Sequence, residues 1–209
     1  EAIDASRKLD EFENSKIKFD HFIFRNNSYS TPLKRFWDTK YDLIIFDNHP
    51  IKENSEEWNS YLRVFAKKIL SQKTSLALIA GYDIHKDSFE AYLKLMGLSY
   101  KKSIIKFKSE LPWAITENWD RTFPFTGSNF INEFQKDFPP IYSGINIDEN
   151  NANVLADFSI SEMKVPLLLL SEKGPLRFAV WTSPDLNKLH FKTQNENYLF
   201  LKKQFLNIL

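Results

Sequence analysis

Two short apolar runs separated by a long amphipathic segment constrain the fold of this chain more than any other feature of its sequence. The runs are Tyr41 to Asp47 (YDLIIFD) and Thr74 to Ala80 (TSLALIA), and polar ends around an apolar centre are typical of parallel strands buried on both faces. Between them, apolar residues such as Trp58 and Phe65 recur at helical spacing and predict a helix from Asn54 to Gln72. This order predicts a right-handed crossover and a parallel sheet.

The rest of the chain predicts further elements of the same fold class. Asp87 begins a predicted second helix that Gly97 ends. Further predicted elements are strands at Lys16 to Arg25, Lys102 to Lys108 and Asn153 to Phe158, a β-hairpin over Val165 to Thr182, and an amphipathic helix over Gln194 to Leu209. Together they predict an α/β fold, a three-layer flavodoxin-like sandwich with a mostly parallel sheet and a C-terminal β-hairpin plus helix.

The length of 209 residues predicts a single domain over residues 1–209. Periodicity fails between residues 111 and 151, where Trp, Phe and Pro are frequent, so we expect a loop-rich aromatic excursion within that domain. Glu1 to Asn14 is amphipathic at helical spacing but has no capping residue before it. We therefore expect the natural chain to be longer than this segment.

The charge balance excludes partners that bind through strong electrostatics. Lys and Arg number 28 against 27 Asp and Glu, and a formal charge of +1 gives no electrostatic case for nucleic acid or an acidic membrane. The longest apolar stretch, Val165 to Leu170, is far shorter than the roughly 20 residues that cross a bilayer. We expect a soluble segment with no nucleic-acid partner.

Several classes of chemistry are excluded by residues that the chain lacks. It has no cysteine, which removes disulfides, thiolate metal sites and cysteine nucleophiles. Its 5 glycines form neither G-x-G-x-x-G nor G-x-x-x-x-G-K, so no phosphate-binding loop is predicted. The four histidines never occur at a metal-ligand spacing such as H-x-x-x-H. We expect no metal and no cofactor.

Four polar side chains follow the two buried strands and form the candidate site. Asp47 and His49 follow the first strand, and Asp83 and His85 follow the second. Because α/β folds place ligands at the carboxyl edge of a parallel sheet, these residues could line one ligand-binding cleft. The alternative is that they are polar loop residues, solvated or capping the helix at Asp87.

Neither a nucleophile nor an obvious binding platform stands out elsewhere. The turn after the second buried strand reads Ala80, Gly81, Tyr82, where a serine hydrolase would need G-x-S-x-G. The aromatic residues between Trp113 and Phe138 either form a platform on which a carbohydrate, peptide or protein partner docks, or pack as the core of the excursion. Exposure of the indoles distinguishes these two hypotheses.

The sequence resembles a known family at several points along the chain. The segments YDLIIFDNHP, TSLALIAGYD, VPLLLLSEKGPLRFAVWTS and ENYLFLKKQFLNIL, with helices between them, resemble the class I glutamine amidotransferase-like domain. They are similar in particular to the divergent version found in bacterial membrane proteins with von Willebrand factor A modules. Pro166, Gly174 and Arg177 resemble the hairpin of that version, and EAIDASRKLD resembles its first helix, which implies that the first strand is missing.

The resemblance implies a family member without catalysis. Catalytic members place a cysteine at the turn where this chain has a degenerate elbow, Ala80, Gly81 and Tyr82, and a late histidine with a nearby glutamate. Here Phe191 and Lys192 follow His190 and no H-x-E occurs. Without a thiolate, an acyl-enzyme cannot form from glutamine.

From this resemblance we expect a non-catalytic binding or scaffold module of a bacterial membrane-associated protein. The resemblance implies an extracytoplasmic location and attachment to the membrane only through regions outside this segment. The partner would be another protein or other domains of the same chain. The alternative is a small-molecule or sugar-binding enzyme-like domain, related to trehalose-utilisation proteins of the same superfamily, that uses Asp47, His49, Asp83 and His85.

Overall fold

The computed structural model describes residues 18–122, 140–148 and 152–184. Contacts divide the chain into two compact units, Glu1–Thr39 and Lys40–Leu209. The helices predicted at Glu1 to Asn14 and at Gln194 to Leu209 lie outside the described residues. That residues 1–209 form a single domain stays a prediction.

The first unit contains a tight hairpin where the sequence predicts a longer strand over Lys16 to Arg25. Strands β1 (Phe24–Arg25) and β2 (Ser28–Tyr29) pair antiparallel around Asn26 and Asn27, whose φ angles are +50° and +58°. Asparagine tolerates this left-handed backbone, which a two-residue hairpin turn requires. The strand predicted over Lys16 to Arg25 is wrong for residues 18–23, because only the two residues next to the turn have a partner strand. Helix α1 (Leu33–Asp38) follows.

The second unit alternates strands and helices at first and then consists mainly of strands. Its elements are β3 (Leu43–Asp47), a 3-10 turn (Lys52–Asn54), α2 (Ser55–Gln72), β4 (Ser75–Ile79), α3 (Lys86–Leu95), β5 (Ser99–Leu111), β6 (Trp113–Ile115), α4 (Glu117–Thr122), β7 (Ile141–Asp148), β8 (Asn153–Ile160), β9 (Met163–Lys173) and β10 (Leu176–Trp181). The predicted strand, helix, strand, helix order from β3 to α3 is confirmed.

Six of the described strands form one sheet in the order β3-β4-β10-β9-β8-β6. The α/β class is confirmed, but the prediction of a mostly parallel sheet is wrong. Two of the five pairings, β3 with β4 and β4 with β10, are parallel, and the other three are antiparallel. The reason is that β5 pairs with β7 in a separate two-stranded sheet instead of returning beside β4.

The chain re-enters the main sheet as a meander rather than through crossovers. Ser161 and Glu162 join β8 to β9 with φ angles of +43° and +72°, and Gly174 begins the two-residue loop between β9 and β10 with φ of +60°. Two-residue loops of this kind connect antiparallel strands directly. The predicted hairpin over Val165 to Thr182 is confirmed.

The face of the sheet that carries Phe46 packs against α2 and α3. Phe46 lies 5.1 Å from the Trp58 ring, 5.2 Å from the Phe65 ring and 5.4 Å from the Tyr92 ring, centroid to centroid. The Tyr92 hydroxyl donates a hydrogen bond of 2.9 Å to the Trp58 carbonyl, which ties the two helices together. We call Phe46, Trp58, Phe65 and Tyr92 the aromatic cluster.

The described parts of the predicted loop-rich excursion form β6, α4 and β7, and they contribute to a second core on the opposite face of the sheet. Ala77, whose side chain alternates with those of Leu76 and Leu78, belongs to a second core with Trp113, Trp119 and Phe158. Trp119 is only 1% exposed and Trp113 only 4% exposed. The hypothesis that these two indoles form an exposed platform is therefore wrong, and the aromatic residues from Phe123 to Phe138 lie outside the described residues.

Candidate functional site

The candidate site lies where β3 and β4 end. The two strands are parallel and Asp47 is in register with Ile79, so the loops that follow them begin side by side. The Ala80 amide donates a hydrogen bond of 2.9 Å to the Trp181 carbonyl, which places the end of β10 at the same edge. These strand ends form the carboxyl edge at which α/β sheets bind ligands.

Backbone contacts bind the two loops to each other. The Asn48 amide donates to the Ile79 carbonyl at 3.0 Å, and the His85 amide donates to the Pro50 carbonyl at 2.8 Å. Ile51 and Ile84 form an isolated antiparallel bridge between these contacts. The loops after β3 and β4 are therefore one hydrogen-bonded structure rather than two independent walls of a cleft.

The side chain of Asn48 fastens the second loop to the first. Its Oδ1 accepts a hydrogen bond of 3.1 Å from the Asp83 amide, and its Nδ2 lies 3.4 Å from Asp83 Oδ2 as a donor. Asn48 has φ of +49°, a left-handed conformation that asparagine adopts more readily than most residues. We call this pair of contacts the Asn48–Asp83 clamp.

The clamp lies directly over the degenerate elbow. A Cβ added to Gly81 would stand 1.9 Å from Asn48 Oδ1 and 2.2 Å from Asn48 Cβ, distances at which atoms overlap. Glycine at position 81 is therefore a steric requirement of the clamp. The next residue, Tyr82, is 63% exposed.

His49 belongs to the aromatic cluster rather than to an open cleft. Its ring packs edge-on against Phe46 at 4.7 Å and against Trp58 at 4.6 Å, centroid to centroid. Its Nδ1 lies 3.4 Å from Asn54 Nδ2, and Asn54 Oδ1 accepts a 3.0 Å hydrogen bond from the Ile51 amide. Because the amide nitrogen faces His49, we assign Nδ1 as the acceptor and the ring proton to Nε2.

Burial determines the charge of His49. Loss of water around the ring lowers the pKa of His49 from 6.5 to about 3, so the ring is neutral at physiological pH. Its Nε2 is buried, and no described residue accepts a hydrogen bond from it. Asn54 lies at the N-cap position of α2, as the sequence predicts, but its side chain makes no capping hydrogen bond and contacts the Ile51 amide and the His49 ring.

His85 is the N-cap residue of helix α3, but its side chain makes no capping hydrogen bond to the helix backbone. Its Nδ1 lies 2.8 Å from Ser88 Oγ, and Ser88 is fully buried. A buried hydroxyl cannot reach a substrate, so this Ser–His contact is not a nucleophile with its base.

Asp47 is the one candidate carboxylate at the end of a strand. Its side chain reaches the surface, while the surrounding protein removes enough water to raise its pKa above 3.8. No described cation pairs with it.

The structure thus places the four candidate residues at one edge but does not join them into one group. Asp83 is bound through Asn48, whereas His49 and His85 bond to separate partners. Among the described residues, no three His, Asp or Glu side chains are arranged to hold a metal ion. The ligand-binding role of Asp47, His49, Asp83 and His85 stays a prediction. Asn48 is predicted as a turn residue at this edge but is not among the candidate site residues, although an asparagine directly after a buried strand is a signal for a left-handed turn.

Comparison with known proteins supports the fold alone. No protein-family model matches the chain, and no curated protein matches it. A solved structure similar to this chain is that of the cytoplasmic protein STM1381 from Salmonella typhimurium LT2, with a TM-score of 0.51 and 13% sequence identity over 80% of this chain and 72% of that chain. The likeness supports an α/β fold and assigns no activity.

The described helices also bear on membrane attachment. None of them combines the length and the apolar character that a membrane-crossing helix needs.

Proposed function

We propose that the chain is a non-catalytic binding or scaffold module with a glutamine amidotransferase-like fold. The observation that supports this proposal most is the Asn48–Asp83 clamp over Gly81. The position that would hold a nucleophile has no side chain, and the volume a side chain would need is occupied by Asn48. Substrate would meet a hydrogen-bonded turn at this point.

The contacts of the two histidines near the elbow support the absence of a general base. The His49 ring is buried in the aromatic cluster, and His85 Nδ1 is engaged by the buried Ser88. General base catalysis needs an accessible nitrogen within hydrogen-bond reach of a nucleophile. Two loops that are hydrogen-bonded to each other and have no nucleophile at the elbow are better suited to presenting a surface to a partner than to chemistry.

An assay of glutamine hydrolysis tests the absence of catalysis. We expect the purified protein to release no ammonia from glutamine, because nothing at residue 81 can form an acyl-enzyme. The variant Asn48→Gly with Gly81→Cys removes the steric overlap and introduces a thiol. We expect this thiol to react with iodoacetamide while ammonia release stays at the level of buffer. Glutamine hydrolysis by the unaltered protein would overturn the proposal.

The membrane-associated part of the proposal concerns regions outside this segment. We propose that the module belongs to a bacterial membrane protein and lies outside the cytoplasm. The complete natural gene should then encode at least one apolar span of about 20 residues. A complete gene without such a span would contradict membrane association and leave the non-catalytic role intact.

A second candidate function is small-molecule or sugar binding at the carboxyl edge. The observation that favours it is that Asp47 and Asp83, both exposed, lie at and just after the ends of the two adjacent parallel strands β3 and β4. Isothermal titration with trehalose, glucose and glycerol tests it, using Asp83→Ala combined with His85→Ala as the matched variant. Heat on titration that disappears in the variant would favour this function over the scaffold role, whereas no heat with any of the three would reject it for these compounds.

A further inference from the structure

The outer edge of β3 is open among the described strands. β3 is an end strand of the six-stranded sheet, and all five of its residues pair with β4 in unbroken register from Leu43 to Asp47. A strand paired on one side leaves alternate backbone N–H and C=O groups pointing away from the sheet. The structure therefore presents a straight hydrogen-bonding edge about five residues long.

The five residues of β3 carry none of the local features that block strand addition. Protected edge strands carry lysine, proline or a bulge, whereas the residues of β3 are Leu, Ile, Ile, Phe and Asp with no register shift. Ile44 and Phe46 are buried beneath the helices, while Ile45 on the other face is 43% exposed. Apolar residues on both faces are typical of a strand with a neighbour on each side.

Charges at the two ends of β3 indicate which kind of strand would fit. Asp42 and Asp47 flank the apolar residues, both side chains reach the surface, and neither pairs with a described cation. A strand with a basic residue near each end would place a cation beside each carboxylate. A second copy of β3 in antiparallel register would instead place Asp42 opposite Asp47, and like charges directly opposite are destabilising.

We propose that the outer edge of β3 binds an extended segment of a partner polypeptide, apolar at its centre and with Lys or Arg at each end, as an added strand of the sheet. Main-chain hydrogen bonds supply the affinity, and the flanking carboxylates supply the selectivity. This inference rests on the proposed binding role and names the class of partner.

Peptide titration of the whole chain tests the proposal. The probe is a capped peptide, Lys-Val-Ile-Val-Val-Lys, and the control carries Glu at both ends. In the free protein, we expect alternate amides of residues 43–47 to exchange rapidly with solvent in NMR, because they point away from β4. The basic peptide should slow their exchange, and its dissociation constant should be at least about tenfold lower than that of the acidic control.

A charge-reversal variant distinguishes specific strand addition from nonspecific peptide binding. The variant Asp42→Lys with Asp47→Lys keeps the backbone edge and reverses both end charges. We expect it to prefer the acidic peptide, with the order of the two dissociation constants reversed. Asp42→Asn alone should weaken the basic peptide by about threefold, the effect of one exposed ion pair.

Three outcomes would overturn the inference. Slow exchange of all five amides in the free protein would mean that the edge is already paired within the chain. Concentration-dependent dimerisation that protects the same amides would assign the edge to a second copy. Failure of both peptides to bind would reject strand addition. The non-catalytic role is tested separately by ammonia release from glutamine, so failure of the strand-addition proposal can be distinguished from failure of that role.

Discussion

The parallel half of the sheet, β3, β4 and β10, differs from the antiparallel half, β9, β8 and β6, in how its strands are positioned. In the parallel half, α2 connects β3 to β4 and contributes Trp58 and Phe65 to the aromatic cluster. In the antiparallel half, β6 pairs with β8 across a long stretch of sequence, with Trp113 opposite Phe158. Each half thus combines a local connection with one pairing between distant residues: β4 pairs with β10 and β6 with β8 far along the chain, whereas α2 joins β3 to β4 and two-residue loops join β8, β9 and β10.

The candidate site and most of the second core also lie in different halves of the sheet. The Asn48–Asp83 clamp and His49 belong to the parallel half, where loops follow strand ends at one edge. The two described indoles of the excursion, Trp113 and Trp119, pack in the second core with residues of β8 and β9, and β10 belongs to both halves. A destabilising substitution in one half therefore tests whether the other half stays folded.

The largest effect is expected in the antiparallel half. Replacement of Trp119 by Ala should lower the free energy of unfolding by about 3–5 kcal/mol, because a fully buried indole is lost. Phe65→Ala in the parallel half should cost a similar amount. Urea denaturation followed by circular dichroism measures both, and Val64→Ala, at a side chain 56% exposed, is the control with an effect within about 0.5 kcal/mol.

If β10 couples the halves, each variant should unfold in one transition. Two separate transitions in Trp119→Ala would show that the parallel half survives alone. Retained stability in Trp119→Ala would contradict its place in the second core.

A smaller loss of unfolding free energy is expected from a side chain added at Gly81, beneath the Asn48–Asp83 clamp of the parallel half. Gly81→Ala should cost about 3 kcal/mol, since the added methyl overlaps the Asn48 side chain. Adding Asn48→Gly should recover most of that loss, because it removes the overlapping atoms and glycine tolerates the φ of +49°. The measurement is a double-mutant cycle of unfolding free energies.

Gly174→Ala is the matched control in the antiparallel half. It has no atom within 4 Å of its added methyl, so only its φ of +60° should matter, at a cost of about 1–2 kcal/mol. Additive effects of the Asn48 and Gly81 substitutions would argue against the clamp.

The smallest effect is expected in the pH dependence of the unfolding free energy, and it arises from His49 in the parallel half. Between pH 6.5 and about 3, His49 takes up a proton in the unfolded chain but not in the folded one. Stability contributed by the neutral ring is therefore lost as pH falls through this window, by at most about 1.4 kcal/mol per pH unit. Unfolding free energies of the protein and of His49→Phe, measured from pH 7 to pH 5, should diverge accordingly.

Asp47 has the opposite effect on the unfolding free energy at the acid end of that pH range. Its pKa is raised in the folded state, so the folded chain binds this proton more readily and gains relative stability as pH falls. Asp47→Asn should therefore steepen the loss at acid pH. Equal slopes in the protein and in His49→Phe would contradict the buried, neutral state of His49.

The sequence was sufficient to predict the parallel half, since each strand and helix there has its own apolar periodicity. β3, α2, β4 and α3 follow from that pattern, and so does the position of the candidate residues at one edge. β7 was not predicted, although Ile141, Ile145 and Ile147 alternate, because Gly144 and the preceding prolines obscure the pattern. The clamp was not predicted because it depends on how Asn48 and Asp83 meet across two loops.

The position of β10 has a consequence for how this protein is made. β10 follows every other described strand in the sequence, yet it is third of six in the sheet, with Val180 in register with both Leu78 and Leu169. During synthesis, β4 therefore keeps an unpaired inner edge until β10 leaves the ribosome. Unpaired strand edges in incomplete chains promote aggregation, so a nascent chain that stalls before residue 176 is the form most in need of a chaperone.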